Sequence, residues 1–223
     1  MDLNADFSRR AVVHAGRLEW SPSPIAGVDR RMLDRVGEEV ARATSIVRYA
    51  SASSFSEHMH GGGEEILVLD GVFSDAQGDY PLGTYLRNPP GSRHAPGSAP
   101  GCVIFVKLWQ FARDDHSPLR VDTDSLAWQA VVDRPGVEVM PLVQRPNESV
   151  TLERWAPGRE IGLPAPAGLE LLVLAGDFID GDDLFVPQSW LRLPPGASFE
   201  GRVGAEGCTV WMKRGHLSPP IGI

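Results

Sequence analysis

A chain of 223 residues, 42% hydrophobic and 22% charged, has ordinary globular composition and enough apolar material to bury a real core. Its 21 basic and 29 acidic residues give a net charge of -8, and no Lys/Arg stripe is interleaved with aromatics, so nucleic acid is not an expected direct partner. No stretch approaches the roughly 18 apolar residues of a membrane span. The opening MDLNADFSRR lacks the basic-then-apolar layout of a secretory signal. With two cysteines, Cys102 and Cys208, these features point to a cytoplasmic protein without a membrane partner.

Taken in chain order, residues 1–17 read as an N-terminal arm. From Trp20 the chain then runs through a frame that recurs from Trp128, in both cases reaching a Gly-Val pair and then a leucine, Leu33 or Leu142. Arg48-Tyr49-Ala50 answers Arg154-Trp155-Ala156. EILVLDGVFSD from Glu65 answers ELLVLAGDFID from Glu170, and LRNPPGS at Leu86 answers LRLPPGA at Leu191. Gly101-Cys102 precedes Lys107 as Gly207-Cys208 precedes Lys213. Matches in one order over about a hundred residues mean a duplicated domain. The copies are placed at 18–125 and 126–223.

The short runs Ser45–Tyr49, Ile66–Leu69, Val103–Leu108, Val150–Trp155, Leu171–Leu174 and Thr209–Lys213 are rich in β-branched and apolar residues and mostly bounded by turn formers. Only Asp34–Arg42 offers a helix of any length. The pattern predicts an all-β chain of two small antiparallel barrels in tandem.

Chemistry concentrates in the first copy. His58 and His60, two apart on a strand, present both imidazoles to one face. Gly61-Gly62-Gly63 permits a sharp turn, Glu64 follows, and the turn Pro89-Pro90-Gly91 presents His94. Three imidazoles and a carboxylate suit one divalent transition metal, with zinc first and Fe(II), manganese or nickel as alternatives. The second copy has no histidine between Trp128 and His216. It offers Pro164 or Ala165, Pro166 or Ala167, and Phe199 in place of the three histidines, and so no such site. Because Glu170 aligns with Glu65 and persists there, Glu64 is preferred as the ligand.

At these residues the chain resembles the cupins. His58, His60, Glu64 and Gly71 fill the first cupin motif, and Gly83, Pro89, Gly91 and His94 fill the second, in which Ser98 replaces the usual final Asn. The resemblance implies cupin (double-stranded β-helix, jelly-roll) barrels. More narrowly, HMHGGGEEILVLDGVFSD with the segments that follow it resembles the cupin-like domain of ChrR-type anti-sigma factors. That resemblance implies zinc held by three His and one Glu, and a regulatory, stress-sensing role. The family's N-terminal His-x3-Cys-x2-Cys domain, which grips the sigma factor, has no counterpart before Trp20. A sigma factor or other protein, a small molecule in the first barrel and a second copy in a homodimer are the partners considered. The alternative function is an Fe(II)-dependent dioxygenase acting on a small diketone-like substrate.

Other residues carry plainer expectations. Cys102 and Cys208 read as small core residues rather than a disulfide, and His14, His116 and His216 as solvated. Asp180, Asp182 and Asp183 read as a solvated turn. Tyr85, Arg87, Phe73, Phe105 and Lys107 lie on strands near the motifs, where about half should face a pocket and half should pack.

Overall fold

The computed structural model describes residues 1–217 apart from 39 and 113. The chain forms two compact units. One comprises residues 1–5 and 18–125, the other residues 6–17 and 126–223. Both are almost wholly β.

In the first unit the main sheet runs Leu119–Asp122, Thr84–Asn88, Glu64–Asp75, Cys102–Leu108, Ala41–Tyr49, Val28–Gly37 and Ser21–Pro22 from edge to edge. The second unit repeats that order as Ala11–His14, Ser189–Leu193, Leu169–Asp180, Ala197–Arg214, Glu148–Trp155, Val137–Arg145 and Gln129–Ala130. The repeat holds to single residues. Gly71 (φ 68°) and Gly176 (φ 70°) sit at the same bend, where a Cβ would stand 2.1 and 1.9 Å from the carbonyl oxygens of Gly101 and Gly207. No side chain fits there. Arg48 stacks over Trp20 as Arg154 stacks over Trp128, with guanidinium carbons 4.6 and 4.0 Å from the ring centroids.

The edge strands depart from simple repetition. Leu119–Asp122 pairs with Thr84–Asn88 in the register Leu119 to Arg87 and Val121 to Tyr85. Ala11–His14 pairs with Ser189–Leu193 in the matching register, Ala11 to Arg192 and Val13 to Trp190. Each six residues ahead of its repeat's tryptophan, Trp20 or Trp128, these two strands are sequence equivalents, yet each completes the sheet of the other copy. Residues 1–17, read as an arm, therefore contribute a sheet strand, and residues 1–5 belong with the first unit.

The helix expected over Asp34–Arg42 does not form. Val28–Gly37 and Ala41–Tyr49 make a hairpin, paired Val36 to Arg42 and Gly37 to Ala41. Gly37 turns at φ 108°, and Asp34 forms a buried ion pair with Arg42 (3.4 Å) across the two strands. Sheet pairing and that buried pair override the weak helical spacing.

The first core gathers Ile66, Val68, Phe73, Leu86, Ile104 and Val106. The second includes Trp155, Phe178, Phe185, Phe199 and Met212. Cys102 and Cys208 are buried free thiols at equivalent positions, paired across the sheet with Tyr49 and Trp155 respectively.

Candidate metal centre

Two very short strands, His58–Met59 and Arg93–His94, pair antiparallel with His94 opposite His58. That ladder brings together histidines 36 positions apart in the sequence. His60 follows at the start of the turn, and its backbone carbonyl accepts a hydrogen bond from Gly91 N (2.9 Å). The glycine loop then reverses so that Glu64 opens its strand. A Cβ on Gly62 would lie 2.2 Å from the Trp109 ring, and one on Gly63, itself at φ 79°, would lie 2.4 Å from Phe111. Glycines here let two aromatic rings lie against the loop that precedes Glu64.

One potential ligand nitrogen from each of His58, His60 and His94 falls within 4.8 Å of the others. The three rings meet edge to face, with centroids 4.6–5.1 Å apart. Glu64 Oε2 is 3.5 Å from both His60 Nε2 and His94 Nε2, and it accepts a hydrogen bond from Asn88 Nδ2 (3.0 Å). His94 is oriented from behind, its Nδ1 3.2 Å from Asp75 Oδ2. His58 Nδ1 is 3.3 Å from the Ser56 carbonyl. Such partners fix ring orientation and leave each Nε2 for a ligand bond.

Burial sets the protonation. It lowers the His60 pKa to about 4, helped by the neighbouring His58. It also lowers that of His94, although Glu64 opposes the shift. Burial raises the Glu64 pKa, with His94 and then Asn88 pulling the other way. At neutral pH His60 and His94 are therefore in the form that ligates. Their Nε2 atoms are buried and make no hydrogen bond. Leaving two buried acceptors unpaired is costly unless something binds them. A divalent cation at the point between them and Glu64 satisfies both and compensates the buried carboxylate, so the residues fit a metal.

Glu65 faces elsewhere. Its carboxylate accepts a hydrogen bond from Tyr85 Oη (2.8 Å) and pairs with Arg87 (3.4 Å), which in turn pairs with Asp115 (2.7 Å). In the second unit Glu170 keeps the equivalent place, bonded to Trp190 Nε1 (2.7 Å) and His216 Nε2 (2.9 Å). Of the residues flanking the motifs, Tyr85, Arg87 and Lys107 are buried with that Glu65 face of the sheet, whereas Phe73 packs 5.8 Å from the His94 ring. None of the five, Phe105 included, lines the cavity over the histidines. His216 has a side chain only 4% exposed, and His14 is partly buried against Ser189 and Phe185, so neither is solvated as expected; His116 is exposed. Asp180 and Asp183 bind Arg10 (3.1 and 3.3 Å).

The second unit shows what the site becomes without its ligands. Leu163 pairs with Phe199, the register that pairs His58 with His94. Gly196 N donates to Ala165 O at 2.9 Å, as Gly91 N does to His60 O. The counterparts of His58 and His60 are thus Leu163 and Ala165, whereas the sequence suggested Pro164 or Ala165 for the first and Pro166 or Ala167 for the second. The loop keeps its length, because no gap separates Ala165 from Leu169. Glu64 becomes Leu169, opposite Leu193 where Glu64 faces Asn88. All four positions are apolar, and the barrel is packed with Phe178, Phe185 and Phe199.

Above the histidines of the first unit opens a cavity of about 680 Å³, lined by His58, His60, Glu64 and mainly apolar side chains. Its volume is that of a small-molecule pocket. Sequence reasoning missed Arg30, Tyr49 and Trp109 on its walls, since nothing in their local sequence singles them out.

Solved structures share this fold at low sequence identity. A putative dioxygenase from Nostoc punctiforme superposes with TM-score 0.78 at 17% identity, covering 95% of this chain and 84% of that one. The putative glyoxylate induced protein of Pseudomonas aeruginosa gives 0.74 at 13%, covering 96% and 92%. Escherichia coli pirin YhhW in complex with nickel(II) gives 0.64 at 12%, covering 93% and 99%. No curated protein matches the sequence. Fold and histidine cluster define a cupin with a candidate metal centre. The family model of the ChrR cupin-like domain matches residues 8–112 and again 116–218, and the chain belongs to that family twice over.

Proposed function

We propose that the first barrel binds one divalent transition metal through His58, His60, His94 and Glu64 and works as a metal-dependent enzyme of the dioxygenase type on a small organic molecule. The observation that carries this reading is the open cavity, whose lining includes His58, His60 and Glu64, three of the four residues that would hold the metal. As Fe(II), the metal supplies a redox centre for dioxygen. The chain's own residues do the rest. Three imidazoles and one carboxylate would hold the ion, with His58, His60 and Glu64 at the cavity wall. Asp75 and Asn88 hold His94 and Glu64 in place, and the apolar walls keep water away from the reacting molecule.

Oxygen uptake by Fe(II)-loaded protein tests this reading. Uptake with pentane-2,4-dione or a β-keto acid of similar size, lost in His94→Ala, is the expected result. Absence of uptake with every such substrate rejects it.

The second reading, a stress-sensing regulatory protein, is favoured by the family match over both copies. It predicts a tightly held zinc that is released by peroxide, with no substrate turnover.

A further inference from the structure

One charged side chain in the first barrel faces the cavity without an acid to neutralise it. Arg30 lies on the strand Val28–Gly37, two residues from Val28, and so shares its face. Val28 packs in the core and pairs with Tyr49, while Arg30 pairs with Val47. All four line the cavity that opens on the histidines. The Arg30 guanidinium donates one hydrogen bond, from Nη2 to Ser23 Oγ (2.6 Å). Among the described residues no aspartate or glutamate forms an ion pair with it. Burial and the nearby Arg35 both work against its charge. A half-buried guanidinium with spare donors is costly unless an anion completes it, and its planar fork matches a carboxylate.

The remaining surroundings are apolar. Ile25, Val40, Met59 and Trp109, all cavity-lining, are among the large hydrophobics left exposed (56%, 63%, 54% and 46%), so the mouth has a greasy rim. Trp109 is held at φ 60°, a conformation that disfavours any side chain. Its equivalent in the second barrel is Gly215, at φ 86° and with the same backbone hydrogen bond, from Trp109 N to Gly63 O (3.1 Å) and from Gly215 N to Gly168 O (3.2 Å). The register that matches Val28 with Val137 likewise places Val139 where the first barrel has Arg30. Where the histidines are gone, the arginine and the strained tryptophan are gone too. Neither is needed to build a barrel of this kind.

We infer that the cavity selects a small organic acid, its carboxylate paired with Arg30 and Ser23 and its apolar body lying along the rim beside Trp109, with the part nearest the histidines presented to the metal. This rests on the reading of the cavity as a working site and assigns its substrate or ligand class.

The test is calorimetric titration of the full-length protein, once loaded with redox-inert zinc and once treated with chelator. The probes are hexanoate, phenylacetate and benzoate, each against its neutral amide, and metal content is measured on the same samples. At least one acid should bind tenfold or more tighter than its amide. Arg30→Leu should erase that preference with metal content unchanged, and Arg30→Lys should retain part of it. Should Arg30→Leu misfold by circular dichroism, Arg30→Gln makes the same comparison. The inference is overturned if no acid binds, if acids and amides bind alike, or if the preference survives in Arg30→Leu, which would mean that the carboxylate goes to the metal. A protein that takes no metal yet shows an Arg30-dependent preference rejects the metal reading and leaves this one standing. A protein that holds its metal without the preference does the reverse.

Discussion

His58 faces His94 across a two-stranded ladder, and in the second barrel the same register brings Leu163 against Phe199. One backbone geometry thus serves a polar ligand cluster in one copy and a close-packed apolar core in the other. At this pair the register is kept and the side chains differ, which makes the second barrel an internal reference for the ligand positions of the first.

The carboxylate behind His94 offers the first prediction. Asp75 Oδ2 holds His94 Nδ1 at 3.2 Å and also fixes the Tyr80 hydroxyl through Oδ1 (3.0 Å). Asp75→Asn should weaken metal affinity about tenfold to a hundredfold while leaving stoichiometry intact, the usual effect of removing a support behind a ligand. Competition with a chromophoric chelator reads this directly. An unchanged affinity would mean that His94 is not a ligand.

Thiol reactivity should be blocked by burial in both copies. Burial raises the Cys102 pKa, and it pushes that of Cys208 up to about 12, with Asp177 adding to the shift. The reactive form is the thiolate, so a raised pKa makes it scarce at and above neutral pH. In the native protein neither thiol should react with Ellman's reagent at pH 8 over minutes, and both should react once the chain is unfolded in guanidinium. Rapid native reaction of either would show that its strand opens.

The edge strands make a prediction about which copy each stabilises. Val121 lies opposite Tyr85 in the metal-bearing unit, whereas Val13 lies opposite Trp190 in the other. Proline cannot donate to a ladder and fits poorly inside a paired strand. Val121→Pro should cost about 1–3 kcal/mol, the scale of a backbone group left unpaired, and should lower the temperature at which metal is released. Val13→Pro should lower thermal stability by a similar amount without moving metal release. If Val13→Pro releases the metal and Val121→Pro does not, each strand would serve its own repeat.

Much of this was legible in the sequence, for identifiable reasons. The ligands sit in motifs of fixed spacing, and the duplication repeats whole phrases around Glu65 and Glu170. What escaped was set by long-range pairing. Asp34–Arg42 gave a weak helical pattern because Asp34 and Arg42 bind each other across a hairpin, which sequence spacing does not reveal. Leu163 and Ala165 were misplaced because proline and alanine flank a loop whose register only the ladder fixes. His216 looked solvated because its partner, Glu170, is 46 residues away. Arg30 carries no signal in its local sequence, because its cavity-facing side is set by strand pairing.

The measurement closest to the central claim is elemental analysis of full-length protein purified without added metal, alongside the double variant His60→Ala/His94→Ala. These two residues supply the buried, unpaired Nε2 atoms 3.5 Å from Glu64 Oε2. The account predicts close to one divalent transition metal per chain in the parent and essentially none in the variant, with the β-sheet circular dichroism of both alike. Two tightly held ions per chain, or one that survives the double substitution, would contradict it.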